Sequence, residues 1–365
     1  MKKITNLELG AIVYFLINAF FIGISFNSLI TNLRQNSYIG VLVGGIIGII
    51  PLLLYIYYFN YKPKLNINDK NIFLFGNLIG NIINFIIATF TLLLIIVLFS
   101  NLVTFIQSDY LSKTPLILIV ITFIIPIYYS VHTGLKSLCR ASLVFFFLAI
   151  LIGLFTSISL SVQIDINNFK PFLIKNDYLF GFVSYLSYNV IPLYLINIIP
   201  KSEIVNNNKT NKYIIIFYII SFISILISLI SVIGIFGINL SMLYKYPEFQ
   251  VLKKVSLIGI SSRIDSLIFI KWIFSIMITI AIGLYYVVET SKSILKERNN
   301  IFLTIYCLII ISFSLLIPND LFINFLSVKI LSILFLILFT IIILLFYFKI
   351  YYSKKIKRNK NSCNN

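Results

Sequence analysis

IINFIIATFTLLLIIVLFSNLVTFI, Ile82–Ile106, holds no charged residue. At about 1.5 Å of helical rise per residue it is long enough to cross a hydrocarbon core about 30 Å thick. An unpaired backbone group in lipid costs several kcal/mol, so the segment must be helical. The period-two alternation of a membrane β-barrel is absent. The same ruler, moved outward along the chain, gives nine more spans: Leu9–Ile30, Tyr38–Phe59, Thr114–Val131, Leu143–Val162, Tyr178–Ile199, Tyr213–Phe236, Ile264–Val288, Ile301–Ile317 and Phe325–Phe348.

Composition agrees. The 365 residues are 60% hydrophobic and 11% charged, whereas soluble domains carry about a quarter charged residues. The fold class is therefore an all-α integral membrane protein with about ten transmembrane helices. The net charge of +18 lies in short runs between apolar stretches and in the tail Lys354, Lys355, Lys357, Arg358 and Lys360. That pattern suits anionic lipid and topological bias. Nucleic acid is excluded as a partner, because no basic face with stacking aromatics can be assembled. With the N-terminus inside, 19 of the 29 Lys and Arg fall on the cytoplasmic side, so both termini are expected there and the number of spans is even.

Other function classes lose their chemistry quickly. Cys139, Cys307 and Cys363 show no metal or redox spacing, and His132 is the single histidine, so no metal centre is expected. No phosphate-binding loop or nucleophile–base arrangement is present, and neither an enzyme nor a cofactor is implied. The first apolar segment lacks a cleavage signature and is expected to be retained. The longest outside loop, Gly237 to Arg263, includes EFQVLKKVSLIG with Phe249, Leu252 and Val255 at helical spacing. It reads as a short helix that lies on the membrane, caps an extracellular vestibule or packs against the bundle.

Three stretches carry a resemblance. GLKSLCR (Gly134–Arg140), DINNFKPFL (Asp165–Leu173) and LYKYPEFQVLKKVSLIGISSRIDSLIFIKW (Leu243–Trp272) are similar to patterns of the endospore germination permeases, the B subunits of GerA-type nutrient receptors. The third is the most specific. Lys136 and Lys271 depart from the pattern, and the first span lacks the Gly-x-Gly break of many relatives. The family resembles amino-acid/polyamine/organocation transporters, which implies a LeuT-like five-plus-five inverted repeat. One membrane domain, 1–365, would then comprise repeats 9–162 and 178–348 and a basic cytoplasmic tail, 349–365. The resemblance also implies a small germinant, an amino acid, as ligand. The implied partners are an A-type receptor subunit and a C-type lipoprotein in the inner membrane of the spore. An ion-coupled secondary amino-acid transporter is the rival reading.

Polar residues inside apolar spans point to where a guest would bind. Span one is interrupted by Asn18, Gly23, Ser25 and Asn27, and span six by Ser184, Tyr185, Ser187, Tyr188, Asn189 and Pro192. Pro192 removes a backbone donor one turn after Tyr188 and frees carbonyls. Freed carbonyls attract an ammonium and half-helix N-termini a carboxylate, so a zwitterion is a natural guest. The alternative is that Pro192 is an ordinary kink and the small polar residues glue helices together. Asn81, Asn84 and Tyr285 complete the candidate wall. Lys271 is expected to snorkel outward. No acidic residue is expected at mid-depth. Reporter fusions should place both termini on one face of the membrane; opposite faces would break the even count.

Overall fold

The computed structural model describes residues 3–170, 178–206, 208–253, 265–297, 300–316, 333–334, 336–337 and 345–351. Its helices are α1 (Asn6–Asn18), α2 (Phe26–Leu33), α3 (Ser37–Ile47), α4 (Ile49–Asn60), α5 (Ile67–Phe75), α6 (Asn77–Asp109), α7 (Leu116–His132), α8 (Leu135–Ser161), α9 (Tyr178–Tyr185), α10 (Thr210–Leu243), α11 (Pro247–Leu252), α12 (Asp265–Leu295) and α13 (Ile301–Leu316). Among the described residues six helical stretches are long and apolar enough to cross a membrane, and α7 and α13 are shorter apolar helices. Helices cover nine of the ten expected spans. The tenth, Phe325–Phe348, lies largely outside the described residues, as do Cys363 and the basic tail.

α1 starts at a capping box in which the Thr5 hydroxyl accepts from the Glu8 N–H and the Glu8 carboxylate accepts from the Thr5 N–H. From Leu9 to Asn18 it is buried on every side. A helix apolar all round belongs in the middle of a bundle, and α1 packs against α8, α10 and α12. The outward faces of the other helices carry exposed Phe85, Ile125, Leu151, Ile158 and Leu308. Such a surface is stable only against lipid.

Two elements differ from the sequence expectation. Span two is divided into α3 and α4 at Gly48, which itself keeps helical backbone angles (φ −61, ψ −15). The segment after it, expected to be a cytoplasmic loop, contains α5. Asn66 caps that helix by accepting from the Asp69 N–H at 2.9 Å, and Gly76 ends it at φ 83, a backbone state glycine adopts without strain. α5 buries an asparagine network: Asn71 donates to Asn84 at 2.6 Å, Asn84 donates to the Asn68 carbonyl, and Asn68 donates to Thr290 of α12 at 3.0 Å.

This end of the bundle is stitched together. The Ile4 N–H donates to the Glu203 carbonyl and the Val205 N–H to the Ile4 carbonyl, each at 2.9 Å. The Ser202 N–H donates to Pro63, Lys201 donates to Asn60, and Lys136 pairs with Glu203 at 3.1 Å. Segments that the charge count placed on one side thus meet on one face.

Lys70 of α5 is fully buried and caps α4, donating to the carbonyls of Tyr58 and Phe59 at 3.2 Å each. It also faces both rings, at 5.2 and 5.7 Å from their centroids. Burial pushes the ammonium down to about 7, although carbonyls and rings favour the charged form. A free lysine keeps its proton to about 10.5. Between these values the undocked chain binds more protons, so docking of α5 strengthens as pH rises, by at most about 1.4 kcal/mol per pH unit. The unfolding midpoint of the purified protein should therefore climb between pH 7 and 9, and Lys70→Met should flatten that climb.

Candidate functional site: a broken first span and the cavity beside it

Span one is not a continuous helix. Between α1 and α2 the chain passes through Ile22 in an extended state (φ −72, ψ 127) and Gly23 at φ 76, ψ −18. A break is therefore present without a Gly-x-Gly pair, made by one glycine preceded by an extended isoleucine. A Cβ at Gly23 would lie 2.6 Å from the Tyr246 ring and 2.9 Å from Asn101 Oδ1. Both the backbone angle and the close approach require glycine here.

Breaking a helix in lipid strands carbonyls, and side chains from three other elements collect them. Asn101 of α6 donates to the Ile22 carbonyl at 3.1 Å. Asn27 donates to Gly23 at 3.0 Å and, across the bundle, to Lys245 at 2.9 Å. At the end of α1, Asn189 donates to the Ile17 carbonyl at 2.8 Å, and Thr279 of α12 gives the Phe15 carbonyl, which already accepts the Ala19 N–H, a second donor at 3.2 Å. Span six is broken at the same depth: α9 gives way to a π-helical turn, Leu186–Val190, and then to a 3₁₀ stretch, Ile191–Ile198, with Pro192 in its first turn. The Tyr188 ring stacks on Phe20 at 5.8 Å. The two breaks thus meet, joined by a ring stack and the Asn189 bond.

The loop after α10 does not lie on the membrane surface. α11 turns into the bundle and buries Pro247, Glu248, Phe249, Val251 and Leu252. Tyr246 donates to Asn101 Oδ1 at 3.2 Å, Gln250 donates to Asp109 at 3.0 Å, and Phe105 contacts the rings of Tyr246, Phe249 and Trp272. The hairpin therefore lids the Gly23 break. Its remainder, 254–264, lies outside the described residues.

Beneath this lid lies a cavity of about 490 Å³ between α1, α8, α10, α11 and α12. Its wall is largely apolar, with Phe21, Phe146, Ile150, Leu252 and Trp272, and carries Asn18, several serines, Glu248 and Lys271. Two of these were misplaced by sequence. Lys271 does not snorkel: its ammonium lines the cavity, 3.4 Å from Ser224 Oγ, which in turn is 3.4 Å from the Tyr14 hydroxyl. Glu248, in a loop by sequence, is a buried carboxylate inside the bundle, 7% exposed. Neither of its oxygens has a hydrogen-bond partner among the described residues. Its own N–H and that of Gly23 are the nearest donors, and burial outweighs them, pushing the carboxyl up to about 8.

The candidate residues divide accordingly. Gly23, Ser25 and Asn27 form the break and the hinge after it, with Ser25 Oγ buried and without a partner among the described residues. Tyr185, Ser187, Tyr188, Asn189 and Pro192 form the break of span six and back α1; none lines the 490 Å³ cavity. Asn84 is held by Asn71 and Asn68 at the stitched end, and Tyr285 stands one turn from Glu289, also outside the cavity. Asn18 does line it.

A family model described as spore germination protein matches residues 9–323. No curated protein matches the sequence. Among solved structures, a Na+-coupled sialic acid symporter in a substrate-bound outward-open state superposes with a TM-score of 0.63 at 12% identity, covering 95% of this chain and 78% of that one. A manganese transporter from Eremococcus coleocola superposes at 0.52 with 12% identity, covering 92% and 76%. These likenesses establish the fold as that of LeuT-type transporters.

Gly23→Ala should destabilise the protein by about 1–3 kcal/mol through the left-handed backbone alone. It should also lift the hairpin. A cysteine at position 245 should label faster in the Gly23→Ala background than in wild type, with maleimide reactivity as the readout.

Proposed function

This chain belongs to the spore germination protein family, and we propose that it is the nutrient-sensing membrane subunit of a spore germinant receptor. It binds a small germinant, an amino acid, in a transporter-like cavity and signals to an A-type subunit and a C-type lipoprotein in the inner membrane of the spore. Both termini lie in the cytoplasm. The observation that carries this reading is the cavity that reaches the broken first span beneath a docked hairpin. A guest there touches α1, the break, α11 and α12 together, so it can favour one arrangement of the bundle by differential contact, which is what a signal requires. The protein does no covalent chemistry.

Ion-coupled amino-acid transport is the second reading, favoured by the likeness in fold to a Na+-coupled sialic acid symporter and a manganese transporter. Proteoliposomes separate the two. A sensor binds radiolabelled amino acid without accumulating it above the level of empty vesicles, with or without a sodium or proton gradient. Gradient-driven accumulation would replace the sensor by the transporter.

A further inference from the structure

Two ionisable groups of opposite type, an acid and a base, face one cavity without pairing with each other. Glu248 is buried, and its carboxylate oxygens have no partner among the described residues. Among the described residues, the Lys271 hydrogen bond is to a neutral hydroxyl, Ser224 Oγ at 3.4 Å. Both side chains line the same cavity, yet they form no ion pair.

What keeps them apart is the scaffold on which each is fixed. Glu248 rides on a hairpin tied down by Asn27 at Lys245, by Tyr246 at Asn101 and by Gln250 at Asp109. Lys271 is seated against α8, where Gly153 leaves it room: a Cβ there would stand 3.3 Å from the ammonium. Burying a lone charge is costly, and the cost is removed when a counter-charge arrives. Around the poles, Phe21, Phe146, Ile150 and Leu252 offer apolar contact, and Asn18 with several serines adds neutral polar groups. A bare metal ion would find one carboxylate there.

We propose that Glu248 and Lys271 are the two specificity-determining poles of the guest site, the carboxylate receiving the guest's ammonium and the lysine its carboxylate, with the apolar wall selecting an aliphatic or aromatic body. This rests on the ligand-binding role proposed above and goes beyond it by moving charge recognition away from the helix breaks. It also gives the hairpin a task. A guest ammonium on Glu248 pins the lid that seals the Gly23 break, so occupancy and lid position rise and fall together.

The test uses matched probes on the full-length protein in lipid nanodiscs: L-leucine, 3-methylbutylamine (no carboxylate) and 4-methylpentanoate (no amine). L-phenylalanine, phenethylamine and 3-phenylpropionate form a second set. Titration calorimetry should show wild type binding at least one of the two amino acids at least tenfold more tightly than either of its singly charged analogues. Glu248→Gln should lose at least tenfold for that amino acid and its amine and leave the acid nearly unchanged. Lys271→Met should show the mirror pattern. Wild type binding an amine or acid as tightly as the amino acid overturns the proposal without any variant, so a variant that fails to fold does not protect it. Amino-acid binding that survives both substitutions removes the poles but leaves the receptor reading standing. If neither amino acid binds wild type, the poles fall; if no other amino acid binds either, the receptor reading falls with them.

Discussion

A helix interrupted inside a bilayer is tolerable only if its stranded carbonyls find donors, since each left unmatched in lipid costs several kcal/mol. Here the donors are side-chain amides: the local Asn27 on Gly23 and, from distant parts of the chain, Asn101 on Ile22 and Asn189 on Ile17, while Thr279 of α12 adds a hydroxyl bond to Phe15. The break therefore exists because α6, the sixth span and α12 surround it. Asn27 makes the dependence tighter by serving Lys245 with the same amide, which couples the conformation of span one to the docking of the hairpin.

From that coupling follows the division of labour in the interior. The space where spans one and six meet is occupied by the Phe20–Tyr188 stack and by capping bonds. The 490 Å³ hollow opens on another side of span one, toward α8 and α10, and it is there that Glu248 and Lys271 stand. Asn27, Asn101 and Asn189 near the breaks satisfy backbone carbonyls; in the hollow Lys271 reaches a serine hydroxyl, and neither Glu248 oxygen has a hydrogen-bond partner among the described residues. Asn189 reads as a polar residue inside a span and Glu248 as a loop residue, yet both are buried, the one completing the scaffold and the other lining the hollow.

The spans were legible because hydropathy is a local property of about twenty residues, as Ile82–Ile106 illustrates. Span six was legible as broken because Pro192 advertises a lost donor. Gly23 was legible as an interruption but not as a full break, since a lone glycine is compatible with an ordinary helix, and only the approach of Tyr246 and Asn101 decides. α5 was missed because its nine residues mix Asn, Asp and Lys with Ile and Phe, a pattern that resembles a polar loop until Lys70 is seen capping α4. Glu248 and Lys271 were misplaced for a common reason. Sequence assigns depth by distance from span ends, and the inward fold of α11 depends on tertiary contacts with no local signature beyond Tyr246-Pro247.

The pairing of Ile4 with Glu203 and Val205 gives these parts a mechanical order. It ties the foot of the first span to the strand leaving the sixth, so α1 is a post fixed at one end, with the extended link at Ile22–Gly23 as its fulcrum. α2, beyond the fulcrum, packs against α9, α10 and α3, and through Asn27 it holds the docked hairpin, so a displaced hairpin would load that short arm before the anchored post.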